Sequence, residues 1–128
     1  MNNIAIFASG TGSNFIAIHN AIVNQELDAK IVCVVSDKPE SIAIKNAKRL
    51  GLHTFSFNPK HYRKKKEFEL EIQQELEQLD VKLIILAGYM RLIGQTLLEA
   101  YPQRILNIHP SLLPLYKGKD AIVQALGE

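Results

Sequence analysis

Asn3-Ile-Ala-Ile-Phe-Ala-Ser-Gly-Thr-Gly-Ser-Asn14 runs from an apolar stretch into a glycine-rich loop, and Phe15, Ile16, Ile18, Ile22 and Val23 then recur at helical spacing. The reading is strand, glycine loop, helix. Gly10 and Gly12 permit positive φ and a close backbone approach. Ser13 or Asn14 is expected to cap the helix, leaving its first N–H groups aimed at an incoming anion. A phosphate fits such a loop. The pattern half-matches the dinucleotide fingerprint G-x-G-x-x-G, with Asp37 where a ribose-binding acid would be sought. Phe15 takes the third glycine position and Pro39 follows Asp37 closely, so a single terminal phosphate is the better ligand.

Outward from that unit the alternation repeats. Residues 30–36 hold the β-branched run Ile-Val-Cys-Val-Val, which reads as a strand buried on both faces. Ser41 is placed to cap a helix carrying Ile42, Ala43, Ala47 and Leu50, and Gly51 to stop it. A third strand is expected over residues 53–57. Beyond Pro59, Phe68, Ile72, Leu76 and Leu79 mark one face of a long amphipathic helix, and residues 81–87 form a fourth strand. Leu97, Leu98 and Tyr101 lie on a short helix closed by Pro102. Such alternation predicts an α/β fold: a mainly parallel, twisted sheet with helices on both faces and the first strand central.

The fifth strand carries the strongest chemical signal, in Arg104-Ile-Leu-Asn-Ile-His-Pro-Ser-Leu-Leu-Pro-Leu-Tyr-Lys-Gly118. Side chains alternate along a strand, so Asn107 and His109 share one side while Leu106 and Ile108 face apolar packing. Pro110 lacks an N–H and keeps His109 extended, so the strand must stop with the imidazole at its carboxyl end, where open α/β sheets bind ligands. An amide and an imidazole there suit a tetrahedral intermediate at a carbonyl carbon.

Two further stretches are candidates. Gly88-Tyr-Met-Arg-Leu-Ile-Gly94 is an apolar, aromatic loop suited to gripping a flat heterocycle through its backbone, or to packing on the core. Arg63-Lys-Lys-Lys66 places cations at a helix start, against the positive end of the dipole, so local stability does not explain it. His19 and His61 are expected at the surface without a role.

The 128 residues have room for one small domain, and 47% hydrophobic residues with five Phe and four Tyr suffice for a core. Net charge is +2 with both signs interspersed, which implies neither nucleic acid nor a membrane surface as partner. The one cysteine, Cys33, sits in an apolar run and reads as a core filler in a reducing compartment. No leader pattern precedes the first strand and no apolar run approaches the roughly 20 residues of a membrane span. A cytoplasmic protein acting on small molecules, without a metal, is expected; its oligomeric state is left unassigned.

The string Asn107-Ile-His-Pro-Ser-Leu-Leu-Pro114, continued by Tyr116-Lys117-Gly118, closely resembles the signature of the folate-dependent formyltransferases, in the version that acts on phosphoribosylglycinamide. The glycine loop and the Met-Arg segment resemble the same family in the same order. The resemblance implies a Rossmann-like formyltransferase fold. It further implies transfer of a formyl group from 10-formyltetrahydrofolate to the amine of 5-phosphoribosylglycinamide, in purine biosynthesis. It implies Asn107 and His109 as catalytic residues, Gly12, Ser13 and Asn14 as phosphate-binding residues, and Met90, Arg91, Leu92, Ile93 and Asn107 as folate-binding residues. Lys65 falls where the family has an arginine for the folate carboxylate; it keeps the charge but lacks the bidentate fork. Formyltetrahydrofolate hydrolase shares the Asn-x-His strand, and an inactive phosphate-binding fragment is the non-enzymatic alternative. The family continues well past residue 128, to an aspartate in an Asp-x-Gly motif that partners the histidine. None of Asp28, Asp37, Asp80 and Asp120 matches that motif, and Asp120 is expected to cap a short helix over residues 121–126. Residues 1–128 are thus expected to be an N-terminal catalytic domain, C-terminally incomplete and impaired in activity.

Overall fold

Five short strands alternate with helices in the computed structural model of the chain, which describes residues 2–108 and 116–127. The order is β1 (Asn3–Phe7), α1 (Ser13–Val23), β2 (Lys30–Ser36), α2 (Ile42–Arg49), β3 (Thr54–Ser56), a 3-10 turn (Pro59–His61), α3 (Lys65–Gln78), β4 (Leu83–Leu86), α4 (Gln95–Ala100), β5 (Ile105–Asn107) and α5 (Tyr116–Ala125). All strand pairs are parallel and the sheet order is β3-β2-β1-β4-β5, with β1 central as expected. Phe55, Val35, Phe7, Leu86 and Asn107 stand in register across all five strands. That row marks the carboxyl edge of the sheet. The chain winds outward from β1 in one direction through β2 and β3 and in the other through β4 and β5, so the topology switches between β1 and β4.

Strand alternation divides the core into two layers. Ile4, Ile6, Val34, Leu83 and Ile85 face Phe15 and Ile18 of α1, Ile44 of α2 and Ile122 of α5. Ala5, Phe7, Cys33, Val35 and Ile84 face Phe68, Ile72 and Leu76 of α3 and Leu97 of α4. Both sheet faces are therefore covered, which is why the strands read as unbroken apolar runs. One register shift interrupts the β1–β2 ladder, between Ile4 and Ala5.

Ser41 caps α2 by accepting the Ile44 N–H at 3.2 Å, and Gly51, at φ 76°, ends it. The third and fourth strands are shorter than the expected 53–57 and 81–87. Their flanks still bond one-sidedly, from Val34 N–H to the His53 carbonyl and from Ala87 N–H to the Phe7 carbonyl. The last helix starts at Tyr116, so Asp120 lies inside it and does not cap it. Gly118, whose helix propensity is about 1 kcal/mol worse than that of alanine, is buried within the helix while Ile122 packs into the core. His61 is exposed, whereas His19 is half-buried in a shallow groove with Ile22, Ile31 and Leu52.

Candidate functional site

The glycine loop after β1 and the loop after β4 flank the topological switch. Gly12 has φ 74° and is the N-cap of α1, with Ser13 the first helical residue. The helix start carries no side-chain cap, which corrects the expectation that Ser13 or Asn14 would cap it. The left-handed N-cap glycine sets the loop path in their place. The first-turn N–H groups have no partner in a helix and stay available for an anion. A Cβ at Gly12 would lie 2.9 Å from the Ala43 Cβ, so only glycine admits α2 this close, and the Ala43 N–H donates to the Gly10 carbonyl at 3.0 Å. Ser13 is exposed at the loop mouth, and Asn14 is buried with Oδ1 lacking a hydrogen-bond partner among the described residues.

The loop over residues 88–94 is pinned almost residue by residue. The Tyr89 ring meets Phe7 edge-on at 5.3 Å, and burial first, then the nearby Asp37 charge, pushes its phenol above the usual range. Met90 N–H donates to Ser9 Oγ at 2.8 Å, and Arg91 Nε donates to Asp37 Oδ2 at 3.0 Å. Lys65 Nζ donates to the Leu92 carbonyl at 2.8 Å. Glu69, reaching across from α3, accepts the Gly94 N–H at 2.7 Å and the Leu97 N–H at 3.4 Å, and so caps α4. Ile93 packs partly into the core, while Met90 and Leu92 are 77% and 84% exposed. The backbone is fixed and two apolar side chains are presented to solvent.

Two clefts adjoin this loop. One, of about 410 Å³, is lined by residues 9–14, Lys38, Ala87, Gly88 and Met90. The other, of about 380 Å³, is lined by Asp37, Lys38, Lys65, Met90, Arg91 and Leu92. Gly12, Ser13 and Asn14 are thus gathered in the first, and Lys65, Arg91 and Leu92 in the second, with Met90 and Lys38 shared. Asn107 is exposed at the carboxyl end of β5, beside Leu86, and lines neither. His109 lies outside the described residues. Asp37 is no free ribose ligand: its carboxylate is buried between Ser9 and Arg91. Ser9, Lys38 and Glu69 were not singled out from the sequence. The partners of Ser9 and Glu69 stand 25 to 81 residues away in the chain, a separation that no local pattern encodes. Among the described residues no cluster of three or more His, Cys, Asp or Glu could hold a metal ion, and no helix is long and apolar enough to cross a membrane.

Comparison with known proteins agrees with this fold. The chain is 49% identical over 125 residues to the phosphoribosylglycinamide formyltransferase of Bacillus subtilis (strain 168), covering 98% of this chain and 64% of that protein. Its fold superposes on glycinamide ribonucleotide transformylase 1 from Geobacillus kaustophilus with a TM-score of 0.84 at 50% identity, covering 98% of this chain and 66% of that one. For the phosphoribosylglycinamide formyltransferase from Bacillus halodurans the TM-score is 0.82 at 40% identity, with 98% and 65% covered. The chain spans about two thirds of the length of these relatives. Residues 2–128 match the formyl transferase family, and the chain belongs to that family.

Proposed function

We propose that this chain carries the substrate-binding cleft of an enzyme that moves a formyl group from 10-formyltetrahydrofolate to the primary amine of 5-phosphoribosylglycinamide, in purine biosynthesis. The observation that carries the reading is the pairing of two unlike loops at one switch point: a glycine loop with an uncapped helix start, and a rigid apolar platform beside it. The first suits a phosphate monoester, whose charge meets N–H donors and the helix dipole. The second suits a flat heterocycle, with Met90 and Leu92 as apolar contacts and Lys65, Lys38 and Arg91 as positive charge for a carboxylate tail. The residues present therefore fit a reduced folate as co-substrate.

In this reading the amine attacks the formyl carbon and a C–N bond forms. The oxygen that gains charge is met by the Asn107 amide and the His109 imidazole. Collapse breaks the bond to the folate nitrogen, and His109 passes to that nitrogen the proton the amine gives up. The test is formyl transfer by a version carrying the full length of the relatives. Asn107→Ala is expected to lose roughly 10² to 10³ in rate, and His109→Ala more. Near-normal turnover in both variants would remove the reading.

A further inference from the structure

The two clefts share Lys38 and Met90, and next to Lys38 in the chain stands a buried carboxylate that lines the second cleft. Asp37, at the end of β2, is 4% exposed, and Ser9, at the end of β1, is 1% exposed. Ser9 Oγ donates to Asp37 Oδ1 at 2.6 Å and accepts the Met90 N–H at 2.8 Å. Asp37 Oδ2 accepts from Arg91 Nε at 3.0 Å. A buried carboxylate is tolerated only when its oxygens are matched by donors of fixed geometry, so the position of Arg91 is tied to that of Ser9. Ser9 is bonded directly to Gly10, the first residue of the glycine loop, while Met90 and Arg91 form the platform of the second cleft. The Ser9 N–H also donates to the Gly88 carbonyl at 3.2 Å, closing a ring of contacts between the loops.

We propose that Asp37 is a positioning residue that couples the two halves of the cleft, so that an anion on residues 10–14 tightens the platform at Met90 and Arg91, and a ligand on the platform tightens the anion site in return. The proposal rests on the phosphate half of the function proposed above. The physical ground is that both loops hang on one carboxylate. Ordering the glycine loop around an anion restrains Ser9, which restrains the Asp37–Arg91 pair and the Met90 amide. Coupling between sites is reciprocal by thermodynamic necessity. A dinucleotide acid would leave one carboxylate oxygen open to a ribose; here one is taken by Ser9 and the other by Arg91.

Asp37→Asn is the incisive variant. Its amide oxygen can still accept from Ser9, but an NH2 group then meets the Arg91 donor and the charge is lost. Amide exchange at Met90 and Arg91 is to be followed in this chain with and without inorganic phosphate, alongside thermal unfolding. In the wild type, saturating phosphate should slow exchange at Met90 roughly fivefold or more, the lower end of ordinary coupling. In Asp37→Asn without phosphate, Met90 should exchange roughly tenfold faster while the β1 and β4 amides hold. Phosphate should then no longer slow it. Ser9→Ala, which removes the other end of the relay without a charge change, should repeat the result if Asp37→Asn folds poorly. Equal phosphate response in wild type and variants, or none at Met90 in the wild type, would overturn the proposal. The transferase reading stands or falls separately, on formyl transfer by the version of relatives' length.

Discussion

Gly12 is the residue whose replacement has the most predictable effect. It combines a φ of 74° with a neighbour 2.9 Å from where a Cβ would stand, so Gly12→Ala meets both backbone strain and a clash with Ala43. Positive φ in a non-glycine residue costs about 1–3 kcal/mol at such a site. The expected outcome is a loss of that order in urea unfolding, together with weaker phosphate binding. A second case is Cys33, buried in the layer under α3, where burial first and the Glu75 charge second push its thiol from 9.0 to about 12. A group whose pKa is raised on folding gives stability that is full below the unfolded value and is lost as pH climbs through the folded one. Stability should therefore fall between pH about 9 and about 12, less steeply in Cys33→Ala. Thiol reagents at pH 9 should label the native protein roughly a hundredfold more slowly than the unfolded chain. The cysteine's place in the core could be read from its apolar neighbours. The role of Asp37 could not, because its partner Arg91 is 54 residues away and the pairing exists only once β1, β2 and β4 are side by side.

At the scale of elements, the strands and helices follow from periodicity and caps, and the differences are confined to ends. Ser41 and Gly51 bound α2 because cap chemistry is local. The α1 start defeats the same logic, since its N-cap is a glycine held by contact with α2, a tertiary constraint. The start of α4 is a further case. Its N-cap, Gly94, has no side chain to offer, and Glu69 of α3 supplies the acceptor from outside. Glu69 is 2% exposed, so Glu69→Ala leaves the Gly94 and Leu97 N–H groups without that carboxylate. Charge-assisted bonds of this kind are worth about 1.5–3 kcal/mol each. Chemical denaturation should show a loss of about 2–3 kcal/mol, with amide exchange in residues 10–14 less affected than in residues 88–94, since the loop after β4 is what loosens. A variant as stable as the wild type would show that α4 finds its cap elsewhere.

For the whole molecule, the alternation of strand and helix predicts the parallel sheet, and the sheet order places the glycine loop and the Met90 loop at its one switch point. The fold and the placing of these two loops were legible together because the same motifs end the strands and begin the loops. The chain spans 64% of the length of its Bacillus subtilis relative. Residues 1–128 alone are expected to transfer formyl at least roughly a hundredfold more slowly than a version of the relatives' length, a difference of about 2.7 kcal/mol in barrier. Comparable turnover by the two would place the acid–base chemistry wholly within these residues. Binding can be tested on the present chain. The most direct measurement is amide chemical-shift mapping with 5-phosphoribosylglycinamide and, separately, a non-reactive folate analogue. The account predicts that the ribonucleotide shifts residues 10–14 first and the folate analogue shifts residues 90–92. A ribonucleotide that leaves the glycine loop unmoved, or a nicotinamide dinucleotide that binds there in preference, would contradict it.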